Sequence, residues 1–126
     1  MNNSQTSDLK ENPTLKDLQN YILQTGKERG WDQNNHLEIF LLLSEEIGEL
    51  ARAVRDYTGL YAQENIPKDR ASCKAAMEEE FADVLNYILD LANFFEVDLE
   101  QAFRKKDAIN AQRIWSSRNS QKNISK

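Results

Sequence analysis

The chain has 126 residues, of which 40% are hydrophobic and 29% charged, and its formal net charge is −5. These values predict one soluble globular domain and exclude a disordered chain. The acidic balance argues against binding to polymeric nucleic acid, which requires basic surface. No apolar run approaches the roughly 20 residues that span a bilayer, and a single cysteine, Cys73, excludes an internal disulfide. We therefore expect a cytoplasmic protein without a membrane partner.

The first third of the chain predicts a tail and one helix. Residues 1–12 are polar and aperiodic, which is typical of a flexible N-terminal tail. Thr14 is a candidate N-cap for a first helix that ends near Gly26 or Gly30. Apolar residues at helical spacing mark its buried stripe: Leu15, Leu18, Ile22 and Leu23.

A long second helix is predicted over residues 35–57. A residue between Asp32 and Asn35 caps its start, and Thr58-Gly59 stops it. Residues 59–70 have no clear period and are predicted to be a loop. The predicted core stripe of this helix is Phe40, Leu43, Ile47, Leu50 and Val54.

Two further helices complete the predicted fold. The third runs over residues 71–95 with Ser72 as candidate cap, and the fourth runs from the Asp98 cap to about Trp115. The predicted core stripe of the third helix is Met77, Phe81, Val84 and Ile88. With a polar, flexible C-terminal tail over residues 116–126, the chain reads as one all-α domain over residues 13–115, a four-helix bundle.

Two acidic motifs stand inside the second and third helices. Glu46 and Glu49 are three residues apart, as are Glu80 and Asp83, and this spacing turns a helical side chain by only about 60°. Each pair therefore shares one helix face, and the two faces meet if the helices pack. Either motif alone is more often a solvated acidic face. Two motifs on two strongly apolar helices favour burial instead.

Buried carboxylates at close range require a cation. Two of them about 5 Å apart repel by about 3 kcal/mol at an effective dielectric of about 20, and isolated buried charges are not tolerated. A site of hard oxygen ligands, without His or Cys, suits Mg²⁺, with Mn²⁺ as a possible substitute.

A basic face is predicted on the fourth helix. Lys106, Asn110 and Arg113 follow one another at spacings of four and three residues, which places them on one side of a helix. Two cations and an amide suit phosphate oxygens. The alternative is a solvated basic face near a helix C-terminus, where positive charge is favourable.

As a set, these motifs resemble the MazG-like nucleotide pyrophosphohydrolases, an all-α superfamily that includes dCTP pyrophosphatases and dimeric dUTPases. The resemblance covers roughly residues 14–115 and lies in Arg29-Gly30-Trp31, in the two acidic motifs, and in Val97-Asp98-Leu99-Glu100 with the basic face that follows. It implies that Glu46, Glu49, Glu80 and Asp83 bind magnesium. It also implies that a nucleoside triphosphate is hydrolysed to the monophosphate and pyrophosphate.

Several neighbouring residues are candidates for this chemistry. Glu45, about 40° from Glu49 around the helix, orients or deprotonates the attacking water, or is merely a solvated or salt-bridged side chain. Tyr87, one turn beyond Asp83, contacts sugar or base, or packs in the core. Trp31 offers a stacking surface or a packing anchor. His36 meets base or phosphate, or only begins the second helix.

Two rival functions remain open from the sequence. One is a non-catalytic helical dimerisation module whose acids pair with Lys and Arg, and the other is a phosphoribosyl-ATP pyrophosphatase-like enzyme. In every case the second and third helices are more apolar than a single bundle of this size needs, as at Phe94-Phe95 and Ile39 to Leu43. We therefore expect a homodimer or homotetramer.

Overall fold

The computed structural model describes residues 8–60 and 69–124, with side chains as far as Arg113. Within these ranges the chain forms four helices and no strand: α1 (Leu15–Glu28), α2 (His36–Thr58), α3 (Arg70–Phe94) and α4 (Leu99–Ile124). The all-α prediction is confirmed. None of these helices combines the length and apolar character that crossing a bilayer requires. Most of the predicted N-terminal tail, residues 61–68 of the predicted loop and the Trp115 side chain lie outside the described residues.

Local hydrogen bonds place the ends of α1 and α2 where the sequence predicts them. Thr14 Oγ1 accepts from Asp17 N at 3.1 Å, and Asp17 Oδ2 accepts from Thr14 N at 2.9 Å, which is a reciprocal capping box. Asn35 Oδ1 accepts from Glu38 N at 2.9 Å at the start of α2. Gly59 ends α2 with φ 75°, a left-handed conformation that suits glycine.

The ends of α3 and α4 differ in part from the prediction. Asp69 caps α3: its side chain accepts from Ala71 N at 3.2 Å and from Ser72 Oγ at 2.7 Å. The prediction of Ser72 as the cap was therefore wrong, because a carboxylate two residues before Ala71 reaches the free amide of the first turn. Asp98 caps α4 as predicted. That helix continues to Ile124 rather than ending near Trp115, and no Gly or Pro interrupts residues 116–124.

α2 and α3 form an antiparallel pair, and the contacts along it show this. The His36 ring lies 5.4 Å from that of Phe94, whereas the Arg70 guanidinium lies 4.7 Å from the Tyr57 ring at the opposite end. α1 packs on α3, and α4 packs on α1. Of the four helices, α2 and α3 share the most extensive interface, so the two acidic motifs lie on the central pair.

The interior of this pair is narrow and matches the predicted stripe of α2 only at Leu43. Ile39, Leu43, Ala53, Leu89 and Ala92 are the buried apolar residues of the described chain. From the predicted stripes, Phe40, Ile47 and Phe81 remain 58%, 51% and 54% exposed, and Val54 and Ile88 are also exposed. The predicted stripe of α2 is confirmed at Leu43, which is buried. It is wrong at Phe40, Ile47 and Val54, because α2 is apolar on two sides and α3 covers the side of Ile39, Leu43 and Ala53.

A buried amide connects α1 to the junction of α3 and α4. The Gln19 side chain donates to Val97 O at 2.8 Å and to Asn93 Oδ1 at 3.3 Å, and it accepts from Leu99 N at 2.8 Å. Asn93 Nδ2 donates in turn to Gln19 O at 2.8 Å. Since Gln19 is only 5% exposed, these bonds satisfy polar groups that water does not reach.

Candidate metal centre

Three carboxylates meet at the interface between α2 and α3. One oxygen from each of Glu46, Glu80 and Asp83 lies within 4.8 Å of the other two. Oxygens that share an octahedral magnesium ion lie about 3–4 Å apart, given metal–oxygen distances of about 2.1 Å. The structure thus brings together three of the four acids that the sequence singled out.

The burial pattern of α2 explains why Glu46 points inward. The buried residues Ile39, Leu43 and Ala53 lie seven and three residues before Glu46 and seven residues after it. At 3.6 residues per turn these positions form one stripe along the helix. Packing of that stripe on α3 therefore carries the Glu46 carboxylate into the interface.

The electrostatics of the centre are those of acids without a counter-charge. The pKa of Glu46 is raised, first by burial of its carboxyl, then by a hydrogen bond with Glu80 and by repulsion from Asp83, Glu80 and Glu45. Glu80 Oε2 is buried and finds no hydrogen-bond partner among the described residues. Within the same part of the chain, no Lys or Arg lies at ion-pair distance from the three acids. A hard divalent cation would satisfy the orphaned oxygen and remove the repulsion.

Glu49 lies beside this cluster rather than in it. Its carboxylate pairs with Arg52 Nη1 at 3.9 Å, and its side chain is 44% exposed. Glu49 also lines a cavity together with Glu80, so it remains adjacent to the centre. Its role as a fourth metal ligand stays a prediction.

Glu45 and Tyr87 flank the acids. Glu45 is exposed, yet its charge contributes to the raised pKa of Glu46 and of Tyr87. The pKa of Tyr87 is raised by burial first and then by the charges of Glu46, Asp83, Glu45 and Asp90. A phenol that responds to these carboxylates lies near them, in a position to contact a bound substrate.

Asp90 is a polar residue of this face that the sequence analysis missed. Burial raises the pKa of its carboxyl. Asp83, Tyr87 and Asp90 follow at spacings of four and three residues, so they lie along one side of α3. That spacing was the available signal, but Asp90 is not part of either acidic motif.

The predicted phosphate-binding residues stand on α4, outside the three-acid cluster. Lys106, Asn110 and Arg113 are exposed, as are all described side chains from Gln101 onward. α4 packs on α1, and among the described residues it makes no extensive contact with α2 or α3. The three residues share one helix, as predicted, and their contact with phosphate stays a prediction.

Trp31 and His36 also lie outside the acid cluster. Trp31 is 63% exposed, with the Arg29 guanidinium 5.0 Å from its ring centroid. His36 packs between Phe94 and Phe95, at ring distances of 5.4 Å and 5.6 Å. It begins α2 ten residues before Glu46, which is about 15 Å along the helix. Their substrate contacts stay predictions.

Much of the chain is similar in sequence to known proteins. Residues 34–111 match the model of the MazG nucleotide pyrophosphohydrolase domain. The chain is 38% identical over 104 residues to mouse dCTP pyrophosphatase 1, a match that covers 80% of this chain and 59% of that protein. The human dCTP pyrophosphatase 1 is 36% identical, with the same coverage. The uncharacterized protein YvdC of Bacillus subtilis (strain 168) is 34% identical over 71% of this chain and 86% of its own. The chain thus spans only 59% of the mammalian relatives.

Proposed function

Because the chain belongs to the MazG nucleotide pyrophosphohydrolase family, we propose that it hydrolyses a nucleoside triphosphate to the monophosphate and pyrophosphate at the Glu46, Glu80 and Asp83 centre. The single observation that carries the proposal is the meeting of these three acids with a buried, unpartnered Glu80 oxygen. An all-oxygen donor set of this kind fits Mg²⁺, and Mn²⁺ as a substitute. The dCTP named in the mammalian relatives makes a dNTP the first substrate to test.

The reaction transfers the α-phosphoryl group to water. The bond from the α-phosphorus to its bridging oxygen breaks, the pyrophosphate leaves with that oxygen, and the water oxygen becomes part of the monophosphate. When bound, the metal supplies charge neutralisation at the phosphate oxygens and acidifies the attacking water. Glu46, Glu80 and Asp83 hold the metal in this proposal, and Glu49 completes the ligand set after releasing Arg52.

Residues beside the acids position the reactants. Glu45 is one residue from Glu46 and exposed, so its carboxylate is free to accept the proton of the water as general base. Tyr87 responds to the same charges and contacts the sugar or base. Trp31 and His36 lie outside the acid cluster. In this proposal they contact the nucleotide only if a second copy, or a rearrangement of the connection between α1 and α2, places them beside the acids.

A second copy of the chain accounts for two otherwise unexplained features. Large apolar side chains on α2 and α3 are exposed to solvent: Phe40, Ile47, Val54, Phe81, Leu85 and Ile88. A surface of this kind marks an interface. The predicted phosphate-binding residues Lys106, Asn110 and Arg113 are exposed on α4, which makes no extensive contact with α2 or α3 among the described residues. We therefore include a homodimer or homotetramer in the proposal, in which α4 of one copy approaches the acids of another.

The test is a product analysis with one variant. Wild-type protein, Mg²⁺ and a panel of canonical dNTPs are expected to give monophosphate plus pyrophosphate, not diphosphate plus phosphate. Glu46→Gln removes a ligand charge without changing shape, and we expect activity to fall at least about a hundredfold, since even the loss of a ligand's hydrogen-bond partner lowers metal affinity or activity about 10–100-fold. Glu78→Gln, on an exposed position of α3, is the matched control. Diphosphate as product, or full activity in Glu46→Gln, would contradict the proposal.

A further inference from the structure

The junction between α3 and α4 is held by a side chain from α1. Gln19 Oε1 accepts from Leu99 N at 2.8 Å, at the first residue of α4, and Gln19 Nε2 donates to Val97 O at 2.8 Å, in the connection before it. The same amide donates to Asn93 Oδ1 near the end of α3, and Asn93 Nδ2 donates back to Gln19 O. One buried side chain of α1 is thus bonded to the end of α3, to the connection and to the start of α4.

The connection itself adopts a conformation that depends on its surroundings. Glu96 has φ 54°, a left-handed conformation that is unfavourable for a residue other than glycine and persists only where neighbouring structure holds it. Val97 N donates to Ala92 O at 2.8 Å and Glu96 N donates to Asn93 O at 3.1 Å, so backbone bonds close the end of α3. These two bonds do not reach α4. The bonds of Gln19 extend the closed turn to the first amide of α4.

Beyond its first turn, α4 is exposed. Every described side chain from Gln101 to Arg113 is exposed, and among the residues that the structure describes, α1 is the one helix that α4 contacts extensively. The Lys16 ammonium lies 3.9 Å from Asp98 Oδ2 at the start of α4, and partly exposed ion pairs of this kind contribute little. The direction of α4 therefore depends on its first turn, where Gln19 binds it.

A helix that is held at one end converts a small rotation there into a large displacement farther along. Lys106, Asn110 and Arg113 lie 7, 11 and 14 residues after the first residue of α4, or about 10, 16 and 21 Å along the helix. A rotation of about 10° at the start of α4 therefore moves Lys106 by about 2 Å and Arg113 by about 4 Å. Hydrogen bonds to oxygen require donor–acceptor distances of about 2.7–3.2 Å, so displacements of this size break them.

We infer that Gln19 is a positioning residue for nucleotide binding, which acts through α4. This role rests on the proposed function, in which the basic face of α4 contacts phosphate. Gln19 touches no substrate; its bonds to Leu99 N and Val97 O set the direction of α4 and thereby place the basic face. The family match over residues 34–111 does not extend to Gln19. Loss of the Gln19 bonds weakens nucleotide binding and leaves the acids on α2 and α3 in place.

Two variants of Gln19 test this role in the kinetics. Gln19→Leu removes both bonds to the junction, whereas Gln19→Glu keeps an acceptor for Leu99 N and loses the donor to Val97 O. With Mg²⁺ and dCTP we expect KM to rise at least about tenfold in Gln19→Leu, the equivalent of one hydrogen bond to a charged group, and by a smaller factor in Gln19→Glu. We expect kcat to stay within about threefold, because contacts made equally in the ground state and the transition state affect KM alone.

Thr14→Ala is the matched control for a general loss of stability. It removes the cap of the same helix, where Thr14 Oγ1 accepts from Asp17 N, and caps of this kind stabilise a fold by an amount similar to a buried hydrogen bond. The junction at Gln19 is left intact, so Thr14→Ala is expected to keep the wild-type KM. An equal rise of KM in Thr14→Ala and Gln19→Leu, or a wild-type KM in both Gln19 variants, would overturn the inference.

A distance measurement tests the position of α4 without turnover. Spin labels are attached at Gln24→Cys on α1 and Asp107→Cys on α4, both exposed positions, in a Cys73→Ser background that removes the single native cysteine. Dilution of the labelled chain with unlabelled chain restricts the measurement to one copy. We expect one narrow distance distribution with Gln19 present, and a broader or shifted one after Gln19→Leu. Identical distributions would overturn the inference.

The outcomes separate this inference from the proposed function. If Gln19→Leu changes the distance between α1 and α4 but keeps the wild-type KM, α4 does not contribute to nucleotide binding, and the inference fails while hydrolysis at the acids stands. If the wild type hydrolyses no nucleotide with Mg²⁺, the proposed function fails and the inference fails with it.

Discussion

Glu46 and Glu80 each have a carboxyl oxygen within 4.8 Å of the other across the interface of α2 and α3, and the pKa of Glu46 is raised first by burial and then by its hydrogen bond with Glu80. Burial and the neighbouring carboxyl groups disfavour the charged form of Glu46. The folded chain therefore binds the proton of Glu46 more tightly than the unfolded chain does. It follows that, without metal, this pair destabilises the fold as pH rises through the folded-state pKa of Glu46.

The variant Glu46→Gln tests separately how Glu46 affects the stability of the fold and the binding of metal. Without metal, we expect the variant to be at least as stable as wild type at pH 7, because the amide is neutral where the carboxylate is repelled. Mg²⁺ is expected to stabilise wild type by about 2.7 kcal/mol at a hundredfold excess over its dissociation constant, and the variant much less. Thermal unfolding with EDTA or Mg²⁺ measures both, with Glu78→Gln as control. An equal Mg²⁺ response in wild type and Glu46→Gln would show that Glu46 is not a ligand.

The raised pKa of Asp90 predicts a pH dependence of stability away from the metal. Burial disfavours the charged form, so the folded state holds the proton more tightly than the unfolded state, whose pKa lies near the ordinary 3.8. The contribution of Asp90 to the unfolding free energy is thus greatest below that pH and is lost as pH rises through the folded-state pKa. Asp90→Asn is expected to be more stable than wild type at pH 7, and the difference is expected to shrink toward pH 3.5. Urea unfolding across this range measures it.

The control for Asp90 is an exposed acid. Asp107→Asn lies on α4, where the side chain is exposed, and the same difference from wild type is expected to stay flat with pH. If Asp90→Asn also gave a flat difference, burial of Asp90 would not affect its charge.

Replacement of Gln19 with Leu is expected to destabilise the fold. Leu99 N loses its acceptor, and Asn93 and Val97 lose a donor, so buried polar groups are left without partners. We expect a decrease in unfolding free energy of about 1–3 kcal/mol. Gln24→Leu replaces an exposed glutamine of the same helix, which bonds only Glu28 among the described residues, and is expected to change stability by less than about 0.5 kcal/mol. Equal effects in urea unfolding would show that the Gln19 bonds contribute little.

The proposed homodimer or homotetramer predicts that a charge at Phe81 weakens the assembly. This side chain is 54% exposed in one chain, and Phe81→Glu would place a charge inside an apolar interface, where burial is unfavourable. Light scattering after size exclusion is expected to give a multiple of the chain mass for wild type and a lower multiple for the variant. Leu60→Glu changes a similarly exposed residue beyond the end of α2 and is expected to keep the wild-type mass. A monomeric wild type would exclude the assembly.

Local sequence was enough to identify the helices and several of their ends. Thr14, Asn35 and Gly59 form hydrogen bonds with backbone groups only a few residues away. The neighbouring sequence is therefore enough to predict these helix ends. Asp69 shows the limit of this reasoning. Both it and Ser72 are good caps, and the choice depends on where the chain enters α3 from the preceding connection.

The inward face of α2 was decided by tertiary packing. Apolar residues occur both on the side of Ile39 and Ala53 and on that of Phe40 and Ile47, and hydrophobic periodicity does not rank two stripes of similar character. Contact with α3 buries the side of Ile39 and Ala53. The side of Phe40 and Ile47 stays exposed in one chain, and we therefore propose it as an interface with a second copy.

By itself the sequence determined that carboxylates three residues apart recur on the two central helices, and this was sufficient to expect a cation. Only the tertiary structure decided which of them meet. When Glu46 points at α3, Glu49 is turned by about 60°, and it pairs with Arg52 instead. The distance between atoms on two helices depends on the rotation of each helix about its own axis, and that rotation is set by packing between the helices rather than by spacing along one of them.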